Sequence, residues 1–218
     1  MSKKPRHNSI DRNASLSIFP DDFNFVILHG YTEHNDTQFF LWLKNQLEYL
    51  GYKVQLPELP DTDAPSERKQ VEYVIKNIVF SEKTILIGHS LGGVVALKTL
   101  EKLPSEIFGL GLVAPGGLEK QFWTDDFEFD RRTGKKKQYL SKFNFKYNFK
   151  HITPKYKKCI ILGADNDAGY RLPWMKYLAE KLNGQLRLVH ARDFHFTATE
   201  EPEVLKMALD FVKKQEDH

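Results

Sequence analysis

Apolar residues fall along this chain in two kinds of run, and the kinds alternate. Phe25-Val26-Ile27-Leu28, Tyr52 to Leu56, Ile85-Leu86-Ile87, Ile107 to Val113, Lys158 to Leu162 and Gln185 to Val189 are short and β-rich, several without a charge. Runs of that kind suit strands of a parallel sheet covered on both faces. Between them Phe40, Leu43, Leu47 and Leu50, then Val71, Val74, Ile75 and Ile78, recur at helical spacing. The stretches Val94 to Leu103 and Pro173 to Leu182 continue as helices would, and Val204, Leu205, Ala208, Leu209, Phe211 and Val212 form a closing amphipathic stripe. Gly51, the Pro57-Pro60-Asp61-Pro65 loop and Gly184 punctuate the order. Strand and helix in alternation predict an α/β domain, a three-layer sandwich around a mostly parallel central sheet.

Two stretches stand outside this pattern. Residues 1–20 are polar and aperiodic, with Lys3, Lys4, Arg6 and Arg12, and read as a flexible extension ahead of one domain over 21–218. From Gly117 to Lys158 twelve Lys and Arg face five Asp and Glu, a local net charge of +7 in a chain of net +3, interleaved with ten aromatic residues. A surface for nucleic acid has that composition. Its position between consecutive strands points instead to a small insertion, at about 117–150, closing over a pocket, with Phe122 and Trp123 facing substrate and Gly116-Gly117 and Gly134 as hinges.

Composition narrows the classes further. A chain of 218 residues, 41% hydrophobic, buries a core without help from disulfide or metal. The single Cys159 sits inside an apolar run, where a buried structural thiol is expected. No run is long enough to span a membrane, and Met1 to Ser17 has no apolar signal core, so a cytoplasmic protein without membrane or nucleic-acid partner is expected.

The chemistry concentrates where the third apolar run ends, at Gly88-His89-Ser90-Leu91-Gly92. Gly-x-Ser-x-Gly between a strand and a helix is the nucleophile elbow of α/β-hydrolases, a strained corner at which only small residues fit around the serine. The first strand runs into His29-Gly30-Tyr31-Thr32, where such folds place the second backbone donor of an oxyanion hole, here Tyr31 or Thr32 beside Leu91. Strand, acid loop, strand and base loop then follow in the order those enzymes use. Asp165 and Asp167 share one loop, and His195, with His190 as competitor, precedes the closing helix. A serine needs an imidazole to take its proton and a carboxylate to fix the imidazole tautomer, so Ser90, Asp167 and His195 are the candidate triad, with Asp165 as the alternative acid. His29 and His89 read as oxyanion-loop and elbow residues, and His7, His34, His151 and His218 as solvated.

His29-Gly30-Tyr31, the elbow pentapeptide, Asn166-Asp167 and Phe194-His195-Phe196 together resemble the small serine hydrolases related to retinoblastoma-binding protein nine, over about Phe23 to Val212. The resemblance implies an α/β-hydrolase-like fold and aligns nucleophile, acid and base with Ser90, Asp167 and His195. Three departures stand out. Ala168-Gly169 replaces the family's usual Pro after the acid, with about two extra residues before Pro173. The insertion is longer and more charged, and Phe194 stands where Gly is common before the base. The expected function is cleavage of a carboxylic ester or related small acyl compound through a serine acyl-enzyme, with no metal or cofactor. A binding or adaptor protein on the same fold is the alternative.

Overall fold

The computed structural model describes residues 22–129, 134–167, 169 and 171–213. The expected extension at 1–20 lies outside the described residues. The elements alternate as the pattern predicts: β1 (Asn24–Leu28), α1 (Phe40–Tyr49), β2 (Lys53–Gln55), α2 (Glu67–Asn77), β3 (Thr84–His89), α3 (Leu91–Lys102) and β4 (Ile107–Val113). After the insertion, which holds the one-turn helices α4 (Asp125–Glu128) and α5 (Phe149–Ile152), come β5 (Tyr156–Ala164), α6 (Arg171–Lys181), β6 (Gln185–Val189) and α7 (Pro202–Val212).

Six strands form one sheet in the order β2-β1-β3-β4-β5-β6, and every pairing between them is parallel, where a mostly parallel sheet was expected. The chain starts near the middle, steps outward to β2 and returns to β3, so the strand order reverses between β1 and β3. Loops leaving the carboxyl ends of those strands diverge at such a point, and a crevice opens there.

Alternate residues of each strand feed two separate cores, because successive side chains of a strand point to opposite faces. Val26, Leu28, Leu86, Leu110 and Leu112 pack with α2, α3 and α6, whereas Phe25, Ile27, Ile85, Ile87 and Val113 pack with α1 and α7. This is why β3 reads as an unbroken apolar run and is buried along its whole length. Gly109 and Gly111 of β4 are the exceptions on the α7 face. A Cβ at Gly109 would stand 2.4 Å from the Phe211 ring, so the helix rests directly on the strand backbone. Cys159 is buried and free, and burial pushes its thiol up to about 12, as expected of a structural cysteine.

The insertion is more firmly built than a hinged lid. Tyr139, Leu140, Phe143 and Phe145 are buried in the same core as α2 and α3. Glu67 accepts from the Asn144 N–H at 2.8 Å, Glu101 accepts from the Asn148 N–H at 2.8 Å, and the buried Lys98 ammonium donates to the Lys146 carbonyl at 2.5 Å. Gly117 does not serve as a hinge. Its φ of +70° suits glycine, a Cβ there would stand 2.1 Å from Val94, and its carbonyl accepts the Tyr147 hydroxyl at 2.5 Å. Gly134 alone of the expected hinges has open space around it.

Candidate active site

Ser90 stands between β3 and α3 with φ of +51° and ψ of −118°, a conformation that non-glycine residues rarely adopt. The flanking glycines explain how the corner closes. A Cβ at Gly92 would lie 2.2 Å from the Leu28 carbonyl oxygen, and one at Gly88 would lie 2.5 Å from the Gly92 carbonyl oxygen. The corner is tied down by its own backbone, since the Ser90 N–H donates to the Val113 carbonyl at 3.0 Å and its carbonyl accepts from Gly116 at 2.9 Å.

Three loops bring the expected partners to this corner. Ser90 Oγ lies 3.1 Å from His195 Nε2, and His195 Nδ1 lies 3.3 Å from Asp167 Oδ2. Asp167 is set in a turn at the end of β5, with its N–H on the Ala164 carbonyl, and Asn166 reaches across to the Ala191 carbonyl at 2.8 Å. His195 is fixed by the residue after it: Phe196, with φ of +56°, is fully buried and pins the loop between β6 and α7 into the core. Asp165 turns away. Its carboxylate meets His190 Nδ1 at 2.9 Å, and both side chains are more than half exposed. The alternative acid and the competing histidine thus pair with each other, while Ser90 meets His195.

Of the two expected loop donors, Thr32 is spoken for, because its N–H donates to the Thr62 carbonyl at 3.1 Å. Of the expected backbone donors that leaves the Tyr31 N–H and the Leu91 N–H, the latter at the first turn of α3. His29 is neutral by its partners: Nε2 accepts from the Leu59 N–H at 2.9 Å, and burial lowers its basicity. His34 is exposed and bonds Glu58 at 2.7 Å.

Two residues escaped the sequence reading. Arg171 Nε sits 3.2 Å from Asp167 Oδ1, one helical turn after it, a spacing visible in the sequence only once the acid is known. Glu33, in the oxyanion loop, is buried against His89 at 3.0 Å, and nothing local marks it. Burial first, and then the Arg171 guanidinium, hold the His195 imidazole down to about 4, with His89 adding to the effect and Asp167 pulling the other way.

A pH dependence follows for any reaction in which His195 is to serve as the base. A base must be neutral to accept a proton, so an imidazole held below its ordinary 6.5 keeps activity at pH values where an ordinary histidine is lost. Arg171→Gln removes the positive neighbour and is expected to move the acid limb of kcat/KM to higher pH. A pH–rate profile of wild type and variant checks both; an acid limb at or above 6.5 in the wild type contradicts the reading.

The aromatic residues singled out in the insertion part company. Phe122 packs against Trp174 and Tyr177 of α6, at ring-centroid distances of 5.6 and 5.2 Å. Trp123 lines a cavity of about 460 Å³ with Leu140, Phe143, Phe145 and Tyr147. Gly116 and Gly117 join this cavity wall to the serine, through the Gly116 N–H on the Ser90 carbonyl and the Tyr147 hydroxyl on the Gly117 carbonyl.

Among the described residues no helix is long and apolar enough to cross a membrane. No curated protein matches by sequence. Solved structures do match in fold. The ydeN gene product from B. subtilis superposes with a TM-score of 0.70 at 22% identity, covering 88% of this chain and 100% of that one. Est1E from Butyrivibrio proteoclasticus, solved with ferulic acid bound, gives 0.65 at 15% identity, covering 87% of each chain. Polyneuridine aldehyde esterase gives 0.60 at 18%, covering 88% of this chain and 100% of that one. These superpositions establish a common α/β-hydrolase fold. The serine hydrolase family pattern matches residues 25–201, most of the chain and all three loops around Ser90, and the protein belongs to the serine hydrolase family.

Proposed function

We propose that this enzyme is a carboxylesterase-type hydrolase in which Ser90 is the nucleophile, His195 the general base and Asp167 the carboxylate that orients it. The observation that carries the reading is the continuous relay of Ser90 Oγ, His195 and Asp167, with separations of 3.1 and 3.3 Å. Contacts of that length in an unliganded site tighten when substrate arrives. Ser90 Oγ attacks the acyl carbon as its proton passes to His195 Nε2, and the tetrahedral oxyanion is received by the N–H groups of Leu91 and Tyr31. His195 returns the proton to the departing alcohol oxygen, leaving an acyl-Ser90 ester. Water then repeats the sequence and releases the acid. The chemistry asks for no metal or organic cofactor, and the partner it implies is a small acyl compound. Within the family, the motifs at His29-Gly30-Tyr31 and Asn166-Asp167 favour the branch of retinoblastoma-binding protein nine.

Labelling by a fluorophosphonate probe tests the reading, since only an activated serine reacts. Folded protein that stays unlabelled would move the assignment to a binding protein on this fold. The cavity beside Trp123 is lined by neither Ser90 nor His195, and in this reading it receives the far end of the acyl group. Trp123→Ala is expected to shift the preference among p-nitrophenyl esters toward longer or bulkier acyl groups, whereas Phe122→Ala chiefly lowers stability. Neutralising the exposed Lys135 and Lys136 leaves turnover of neutral esters within about twofold, as for surface charges. Unchanged chain-length selectivity in Trp123→Ala removes the cavity from the substrate path.

A further inference from the structure

Behind the serine lies a second acid–histidine couple that the proposed chemistry does not use. His89 is completely buried between β3 and the rings of Phe39 and Phe40, at centroid distances of 5.4 and 5.7 Å. Its two ring nitrogens face different loops. Nε2 lies 2.8 Å from the backbone carbonyl of His195, and Nδ1 lies 3.0 Å from Glu33 Oε2. A carbonyl only accepts, so Nε2 carries a proton. Glu33 Oε2 already accepts the Gly30 N–H at 2.5 Å, and Oε1 accepts from Gln38 Nε2 at 3.0 Å, so the glutamate is engaged as an acceptor throughout. With both carboxyl oxygens already accepting, the Nδ1–Oε2 contact is best served by a proton on Nδ1. That arrangement makes His89 an imidazolium and Glu33 a carboxylate, paired in the interior.

We propose that the Glu33–His89 ion pair is a positioning couple, which locks the base loop and the oxyanion loop to the nucleophile elbow in one register. The inference rests on the assignment of Ser90 and His195 made above. Each bond in the chain has a separate consequence. His89 Nε2–H holds the main chain of the base at the very residue that must meet Ser90. Glu33 occupies the Gly30 N–H, which fixes the peptide preceding the Tyr31 donor. Gly30 itself leaves no slack: a Cβ there would stand 2.7 Å from Glu33 Oε2 and 3.0 Å from the Ser90 Cβ. The loop is held from its other side as well, by the Thr62 hydroxyl on the Glu33 carbonyl at 2.6 Å.

The balance of charge agrees with the geometry. Burial by itself lowers a histidine and raises a glutamate, but the mutual attraction and hydrogen bonds of the pair outweigh it, so His89 is raised and Glu33 lowered from their ordinary values. A pair of this kind is worth little as net stability but is costly to break from one side, because the remaining charge is left without a partner in the interior. That asymmetry suits a device whose value is geometric.

Two measurements decide the matter. Long-range 1H–15N correlation of the histidine rings at pH 8, in the full-length protein, needs no turnover. It is expected to give His89 with both ring nitrogens protonated and His195 with one; a neutral His89 overturns the ion pair. Kinetics on a short-chain p-nitrophenyl ester then test positioning. Glu33→Gln and His89→Gln are each expected to lower kcat by about tenfold or more with KM changed less than about threefold, because misplaced catalytic groups cost the transition state rather than substrate binding. The double variant is expected to be no worse than the weaker single, since the two act as one unit. Folded Glu33→Gln or His89→Gln protein with kcat within about twofold of wild type, or losses that multiply in the double variant, overturn the couple. If one variant fails to fold, the other and the wild-type ring spectrum still decide. Ser90→Ala assayed alongside separates the two readings: activity retained there removes the serine assignment, while the ring spectrum continues to judge the pair.

Discussion

Ser90→Ala is expected to cut turnover of a good ester by about 10³-fold or more while the protein stays folded, in line with the loss of a triad nucleophile elsewhere. The fold has little stake in the hydroxyl. The hydrogen bond of Ser90 Oγ runs to His195, whereas the elbow itself is held by main-chain bonds to Val113 and Gly116 and by the close approach of Gly92 to β1. Alanine keeps the Cβ and meets the same positive φ as serine, so the strain of the corner is unchanged. Thermal unfolding and fluorophosphonate labelling, measured beside the ester assay, separate lost chemistry from lost structure. More than about a tenth of wild-type activity in the folded variant removes Ser90 from the mechanism.

Asp167→Asn is expected to lower kcat by about 10²- to 10⁴-fold, and Asp165→Asn by no more than about twofold. The amide that replaces Asp167 has the size of the carboxylate but offers His195 Nδ1 a donor as readily as an acceptor. An imidazole that accepts at Nδ1 carries its proton on Nε2, facing Ser90, where it cannot take the serine proton. The substitution also takes the negative partner from Arg171, whose Nε lies 3.2 Å from the carboxylate. Asp165 has no such reach, since its carboxylate faces His190 at 2.9 Å near solvent. Steady-state kinetics of the two variants form a direct contest. A worse defect in Asp165→Asn reassigns the acid.

Much of this architecture was legible because it is periodic or local. A buried parallel strand must be apolar on both faces, so β3 and β4 stand out as uncharged runs, and a helix lying on a sheet must carry a stripe, so α1 and α7 do too. β2 is shorter than its run: Tyr52 to Leu56 reads as a strand, but only Lys53–Gln55 pair, at the sheet edge, where backbone partners exist on one side alone. The insertion misled for a related reason. Interleaved lysines and aromatics suggest a mobile cover, yet Phe127, Tyr139, Phe143 and Phe145 are buried in the core shared with α2 and α3, and the buried Lys98 of α3 holds the segment down through the Lys146 carbonyl.

The elbow was likewise written in five consecutive residues, because the steric demand of a sharp strand-to-helix turn falls on the immediate neighbours of the serine. Strand and helix positions, the corner and the order of Ser90, Asp167 and His195 along the chain are therefore properties of the sequence by itself. Which aspartate meets the base is not, for Asp165 and Asp167 are two positions apart in one turn, and only the end of β5 decides which side chain faces His195 and which faces His190. The same holds for Thr32, whose N–H is taken by Thr62, and for Glu33 and His89, which are 56 residues apart. Such pairings have no signature in local composition. They come into being when β1 and β3 align side by side and three loops from their carboxyl ends, and from beyond β6, are forced into one small buried space, where every donor and acceptor must find a partner.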